Sequence, residues 1–354
     1  MTLAAESGQP SRLRASSWPW GWVTALVLVL AACQGSDPAP ELRVYTGQTM
    51  GTVYTVKAVS VPGSAASTAL QADIDALLEG VNQAMSTYRE DSELSRFNAW
   101  NGTDWFPVSG QTATVVGEAL RLADLTGGAL DVTIGPLVDL WGFGPSTPSG
   151  ALPSEGELAL AASRVGIDHL QVRTEPPALR KTQPGLSVDL SAIAKGYAVD
   201  RVAERLELDG IDRYLVEVGG ELRVKGLNAE GLAWRIAVET PTPVGRSVQR
   251  VVQPGDQGVA TSGDYRNFRE VNGKRYSHTI DPATGRPVEH TLASVTVLHP
   301  SAMVADGLAT GLMVMGPGRG MAFAEAEHLP VLMLVRTGDG FQERASSAFE
   351  ALLR

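Results

Sequence analysis

The segment that most limits how this chain can fold is "MVADGLATGLMVMG", residues 303–316. Met303, Val304, Leu308, Leu312, Met313, Val314 and Met315 spread apolar character around a whole helix, and such a helix must be covered on most sides. Any fold of this chain has to set other elements around it. Asp306 and Thr310 are the polar exceptions, four residues apart and so on one helical face. A buried unpaired charge costs several kcal/mol, so Asp306 must be protonated, paired with a base or bound to a metal. No Lys or Arg lies within a helical turn of it. Carboxylate plus hydroxyl is a hard-oxygen pair suited to magnesium, which takes few protein ligands and completes its shell with waters and substrate phosphates. A core ion pair with a distant Arg is the competing explanation. Gly307 and Gly311 each cost about 1 kcal/mol relative to Ala inside a helix, so something must approach that backbone closely.

The elements available to cover this helix are mixed, without strict βαβ alternation or internal repeats, which predicts an α+β fold. "TVYTVKAVS" (52–60) has strand character, and in 70–85 the residues Leu70, Ile74, Leu77, Leu78, Val81 and Met85 share one helical face. A helix is expected from Ser109 as N-cap to about Leu125, stopped by Gly127 and Gly128, and another where Ser154 and Glu157 fit a capping box. Residues 145–153, rich in turn formers, read as a surface loop. From 211 to 298 strands dominate: "YLVEVGG", "ELRVKG", "WRIAVET", "YRNFREVNGKRYSHTI" and "ASVTVL", with "VNGK" a hairpin turn. The opening helix follows, then a final strand at "VLMLV" (331–335).

The N-terminus is of another kind. Arg12 and Arg14 precede "WPWGWVTALVLVLAAC", a short apolar run ending in small residues, the layout of a secretory signal. The run is too short for a comfortable transmembrane helix of about 20 residues, and "LAAC" resembles the bacterial lipoprotein box. Residues 1–32 are then a signal peptide, Cys33 the lipidated first residue, and 33–46 an anchor and flexible tether before a domain spanning 47–354. Cys33 is the only cysteine of the 354 residues, so no intrachain disulfide can form. The expected location is the periplasmic face of a membrane, the inner one, although Gln34 alone leaves the choice of membrane open. With 39 acidic against 29 basic residues and a formal charge of -10, the protein should repel nucleic acid.

No phosphate-binding G-x-x-x-x-G-K-[ST] loop, dinucleotide fingerprint or H-E-x-x-H occurs, and the five histidines are scattered, against a zinc cage. Three other stretches could carry chemistry. In "VDLSAIAKGYAVDRVAERL" (188–206) a short strand ends at Asp189, Ser191 is placed as N-cap, and Lys195 in the first turn of a helix suits phosphate oxygens. In "GGALDVTIGPLVDLWGFG" (127–144) glycines and Asp131 interrupt an apolar run, permitting close approach to a planar ligand. Core packing explains Trp141 and Phe143 equally well. In "RYSHTIDPATGRP" (275–287), "DPATG" is a turn, and His278 is either a general base or a strand residue half exposed on a sheet.

In this order, "MGTVYTV", "MSTYREDSELSRFN", "GALDVTIGPLVDLWGFG", "VDLSAIAKGYAVD", "VEVGGELRVKG", "YSHTIDPATGRP" and "ADGLATGLMVMG" closely resemble the FAD:protein FMN transferase (ApbE) family over about residues 47–316. The resemblance implies a single large mixed domain of the ApbE-like, T-fold-related type, with a largely antiparallel sheet region and packed helices. It implies an enzyme that uses Mg²⁺ and FAD, cleaves the diphosphate, and transfers FMN to a Thr or Ser hydroxyl of a partner protein, releasing AMP. Met50, Tyr88, Ala129, Leu130, Asp131, Asp189, Lys195, Thr279 and Ile280 match FAD contacts; Asp306, Thr310 and the backbone carbonyl of Ala192 match magnesium ligands. His278 matches the base that deprotonates the acceptor. Relatives with Asn where Tyr88 stands tend to hydrolyse FAD, so Tyr88 favours transfer over an FAD pyrophosphatase. Lys195 is a departure, because some relatives carry an acid or a small residue there. The acceptor pattern D-x-x-[ST]-G-A-[ST] is absent from this chain, so the acceptor is another protein. A tethered flavin-binding lipoprotein without chemistry is the remaining alternative.

Overall fold

The computed structural model describes residues 41–60, 68–145, 151–242, 247–265 and 267–352. The signal peptide, Cys33, the start of the tether and residues 146–150 of the expected loop lie outside these.

Eight strands form one sheet in which order in space follows order in sequence: β1 (Glu41–Thr49), β2 (Thr52–Ser60), β3 (Tyr214–Val218), β4 (Glu221–Lys225), β5 (Gly258–Gly263), β6 (Leu292–His299), β7 (Val331–Thr337) and β8 (Gly340–Ala345). Every neighbouring pair is antiparallel. The largely antiparallel α+β architecture is thus as the sequence suggests.

Three boundaries differ. Glu41–Thr46, assigned to the tether, are the start of β1, whose Glu41 pairs with Ser60. As an edge strand β1 alternates exposed and buried residues over a polar, Gly-containing sequence, which reads as tether when the ladder is not seen. "VLMLV" is not the last strand, because β8 pairs with it and a short helix follows. "GVATSG" is the unforeseen β5, and it carries cavity residues described below.

The helices are α1 (Thr68–Met85), α2 (Glu93–Ala99), α3 (Gly110–Leu125), α4 (Gly135–Leu140), α5 (Glu155–Ala162), α6 (Ala194–Leu208), α7 (Ala302–Ala326) and α8 (Ser347–Ala351). Ser109 caps α3 by accepting from Thr112 N–H, and Gly127 (φ 60°) and Gly128 (φ 81°) turn the chain out of it. Ser154 and Glu157 form the full capping box of α5. On one sheet face, α1, α3, α6 and α7 bury the main core, with Ile74, Leu122, Val199 and Leu312 fully inaccessible. The other face is covered by Trp234, the ribbon Ile236–Glu239 with Val248–Val252, and Phe349 of α8. Covered on both faces, β6 is buried over Leu292–Leu298.

The apolar stretch of 303–316 is the first half of α7, buried as its composition demands. Its glycines are where neighbours close in. A methyl group on Gly307 would lie 2.6 Å from Leu122 Cδ1 of α3, and one on Gly311 3.1 Å from Thr126 Cγ2. Gly196 of α6 crosses nearer still, since a methyl group there would sit 2.3 Å from the carbonyl oxygen of Ala302.

The helix breaks at Gly316 (φ 76°, ψ 179°), followed by Pro317. Proline has no N–H for the carbonyl of Met313, four residues back, and His290 Nε2 donates to that carbonyl instead, at 2.8 Å. A side chain on Gly316 would strike the His290 ring.

Candidate active site

A cavity of about 450 Å³ opens where the segment after α3, the loop before α6, β5, the stretch after the 268–277 hairpin, and α7 converge. It is lined by Tyr88, Ala129, Leu130, Asp131, Asp189, Ala192, Lys195, His278, Thr279, Ile280, Asp306 and Thr310. All the site residues expected from the sequence therefore meet there except Met50 and Cys33. Met50 lines an adjoining cavity of about 740 Å³, which shares Tyr88, Asp189, Ser191 and Lys195 with the first. Cys33 lies outside the described residues.

Each wall is set locally. Met50 and Gly51 make the two-residue β1–β2 turn with φ of 49° and 70°. Positive φ at both positions is the hairpin type whose twist matches the strands, and holding a methionine there costs about 1 kcal/mol or more. Thr126, the C-cap of α3, accepts from Leu130 N–H at 3.1 Å and so fixes the Ala129–Asp131 segment. Asp131 accepts from Thr133 N–H at 2.7 Å and from its hydroxyl at 2.6 Å. Burial raises the Asp131 pKa above the usual carboxylate range, against the pull of Thr133.

The loop into α6 differs from expectation. Asp189 follows a single bridge from Ser187 to Ile134, not a strand, and Ser191 is not the cap: α6 begins at Ala194 with Ile193 before it and no side-chain cap. Asp189 Oδ1 instead accepts from Ser191 N–H at 2.9 Å, closing a turn across 189–193. Asn98 holds the preceding residues with 2.8 Å bonds to both the N–H and the C=O of Val188. Lys181, fully buried, donates to the carbonyls of Phe97, Asn98 and Leu186.

Asp306 is 3% exposed, and its Oδ2 accepts from Gly196 N–H at 3.0 Å. Its Oδ1 accepts no hydrogen bond among the described residues. Burial raises the Asp306 pKa, with Glu221 adding to the shift and Lys195 and the Gly196 N–H opposing it. The competing core ion pair with an Arg is not found among the described residues; the base that acts on Asp306 is Lys195 of α6, without a closed salt bridge. That lysine is closer to another acid: Lys195 Nζ is 2.6 Å from Oε2 of Glu221, itself 4% exposed. Burial would lower the Lys195 pKa, but the attraction of Asp306 and Glu221 outweighs it and raises it. Thr310 shares a 3.2 Å hydrogen bond with Ser262 of β5.

No group of three or more His, Cys, Asp or Glu side chains among the described residues is arranged to hold a metal ion. The donors present are the buried Asp306 carboxylate and the Thr310 hydroxyl, with Ala192 of the loop before α6 lining the same cavity. That set fits a hard cation which draws its other oxygens from water and phosphate, and does not fit zinc.

His278 Nδ1 lies 2.9 Å from the carbonyl oxygen of Asn267. A carbonyl only accepts, so Nδ1 carries the proton and Nε2 presents its lone pair. Burial pushes the His278 pKa below 6.5, against the Asn267 carbonyl and Asp264, which keeps the ring neutral at neutral pH. Phe143 packs edge-on to it with ring centroids 6.3 Å apart and lines the cavity. Trp141 is a packing residue: 3% exposed, stacked on Tyr276, its Nε1 donating to the Gly285 carbonyl at 2.8 Å.

Glu221, Ser262, Asn98 and Asn267 were not anticipated. Only Glu221 has a signal, the "GGE" at a strand start, where Gly219 and Gly220 turn the chain with φ of 62° and 109°.

Comparison with known proteins supplies an independent line. The ApbE family matches over residues 50–333. The FAD:protein FMN transferase of Vibrio cholerae is 56% identical over 334 residues, covering 94% of this chain and 98% of its own. That of Haemophilus influenzae is 47% identical, covering 93% and 95%. Among solved structures, the flavin transferase ApbE from Vibrio cholerae superposes with a TM-score of 0.82 at 56% identity, over 88% of this chain and 99% of that one. The Pseudomonas stutzeri flavinyl transferase ApbE, in its apo form, gives 0.81 at 40% identity, over 88% and 97%.

Proposed function

The chain belongs to the ApbE family, and from that premise we propose that its cavity transfers FMN from FAD to a hydroxyl of an acceptor protein. The transfer of FMN from FAD to a protein is the activity in the names of its relatives. The observation on this chain that carries the reading is the convergence, in one cavity, of neutral His278 and the buried pair Asp306 and Thr310.

In the reaction the acceptor Thr or Ser oxygen forms a bond to the FMN phosphorus, the P–O–P bond breaks, and AMP leaves. His278 Nε2 takes the acceptor proton, with Nδ1–H anchored on Asn267 so that the ring keeps its tautomer and aim. Asp306, Thr310 and the Ala192 carbonyl are the proposed holders of Mg²⁺, which when bound would neutralise charge on the diphosphate. Lys195 offers the phosphates an ammonium at the start of α6. Met50 and Tyr88 border the wider cavity, where the rest of FAD has room. Tyr88 is 69% exposed at the junction of the two cavities, which suits a residue met by both FAD and the incoming acceptor.

The test is incubation of the full chain with FAD, Mg²⁺ and a partner bearing D-x-x-[ST]-G-A-[ST]. A covalently fluorescent acceptor and AMP are expected, and chelator should stop both. FMN and AMP released rapidly without acceptor would instead identify an FAD pyrophosphatase. No product of either kind, with FAD bound, would leave a flavin-binding protein.

We further propose that lipidated Cys33 holds the domain on the periplasmic side of the inner membrane, supported by the signal-like segment and the "LAAC" box. Among the described residues no helix is long and apolar enough to cross a membrane. Cys33→Ser should move the protein to the soluble periplasmic fraction; a variant still in the membrane pellet would show an uncleaved anchor.

A further inference from the structure

The cavity holds a buried carboxylate that neither the resemblance nor the reaction above uses. Glu221, the first residue of β4, follows the Gly219–Gly220 turn and turns its carboxylate inward. It is as buried as Asp306, and Lys195 Nζ contacts its Oε2 at 2.6 Å. That oxygen has no other hydrogen-bonding partner among the described residues. No salt bridge closes between Lys195 and Asp306, although each acts on the other electrostatically.

Two buried carboxylates therefore compete for a single ammonium. The carboxylates are the buried partners, the Lys195 side chain being 30% exposed; a buried carboxylate without compensation is costly, so whichever acid holds the ammonium decides whether the other is left open. We propose that Glu221 is a positioning residue that holds Lys195 away from Asp306, keeping the Asp306 carboxylate open to a divalent cation. With Glu221 neutral, Lys195 would turn to Asp306 and become a built-in competitor for the cation. Gly219 leaves room beside the lysine stem: a methyl group there would lie 2.8 Å from Thr52 Cγ2 and 3.4 Å from Lys195 Cδ.

The inference rests on the magnesium site proposed above, and the two can fail separately. The probe is Mn²⁺ alone, titrated into the full chain without FAD, with free Mn²⁺ read by electron paramagnetic resonance. Opposite unit charges in a site that solvent partly reaches at Lys195 interact strongly enough to shift binding on the order of 10- to 100-fold. Glu221→Gln should weaken Mn²⁺ binding by that amount, and adding Lys195→Met to it should restore wild-type affinity, which also shows that the single variant folds. Glu221→Asp is the decisive variant. It keeps the charge but withdraws the carboxylate from Lys195, so it should weaken Mn²⁺ binding severalfold. Wild-type affinity in Glu221→Asp beside a weakened Glu221→Gln would mean that only net charge matters and would overturn the proposal. So would wild-type affinity in both. Wild-type binding by Asp306→Ala would remove the metal site itself, whereas its loss there with Glu221→Gln unaffected would refute the role of Glu221 alone.

Discussion

Gly196→Ala tests whether the crossing of α6 and α7 is what builds the site. The added methyl carbon would fall 2.3 Å from Ala302 O, 2.7 Å from Ala302 C and 2.8 Å from Met303 Cα, all backbone atoms that no rotamer change can move. Relief to an ordinary carbon–oxygen contact requires a relative shift of about 1 Å. Overpacking of this kind costs about 1–3 kcal/mol, and the better helix propensity of alanine returns at most about 1 kcal/mol. The same shift strains the Gly196 N–H bond to Asp306, a hydrogen bond to a charged group, worth about 1.5–3 kcal/mol. The net expectation is a loss of about 2–4 kcal/mol in urea unfolding followed by tryptophan fluorescence, with FMN transfer reduced at least about tenfold because Asp306 moves. Gly80→Ala is the control: nothing lies within 4 Å of its added methyl, so it should stabilise α1 by about 0.5–1 kcal/mol. If Gly196→Ala unfolds at the wild-type urea concentration and transfers FMN normally, the close crossing has no part in the site.

The transfer rate should fall toward acid pH with a midpoint below that of an ordinary histidine, and about tenfold per unit beyond it, because burial lowers the His278 pKa and the base must be neutral. His278→Gln should lose about 10²–10⁴-fold in rate and the acid limb with it; an acid limb that survives in the variant would assign the proton to another group. Asp200 accepts from Ser301 Oγ and from the N–H groups of Ala302 and Met303, and pairs with Arg223 at 3.0 Å. Asp200→Ala strands two helix-terminal donors and leaves Arg223 with Glu207 at 3.4 Å, so thermal or urea unfolding should register a loss of about 2–4 kcal/mol; a loss under about 1 kcal/mol would mean that Ser301 alone suffices to seat α7.

What could be read from the sequence was what depends on near neighbours. The all-round apolar run announced a buried helix, Ser109 and Ser154 announced their caps, and Asn272 and Gly273 announced a hairpin turn that needs the positive φ both adopt. Asp306 and Thr310 stood out because helical spacing pairs them without reference to the rest of the chain. The partners of these groups could not be read in the same way. Asp306 meets Gly196 from 110 residues away, Asp200 meets α7 across about the same interval, and Asn98 meets Val188 across 90. Glu221 looks like the opening residue of a half-exposed strand, and only the Gly219–Gly220 turn sends it inward. Ser191 is not a cap because residues 191–193 form a turn and the helix begins only at Ala194, which puts Ile193 at the cap position. The fold class was legible because strand and helix patterns are local, whereas the in-order arrangement of the sheet is set by which faces find cover.

The break in α7 ties two distant positions into one unit of inheritance. Pro317 withdraws a proton donor and His290, on another segment, supplies the replacement, with Gly316 leaving the ring its space. The two positions are coupled: removing the His290 ring leaves the Met313 carbonyl without the donor that Pro317 cannot supply. A substitution at either position is therefore to be judged together with the other, and His290 belongs to the architecture of α7.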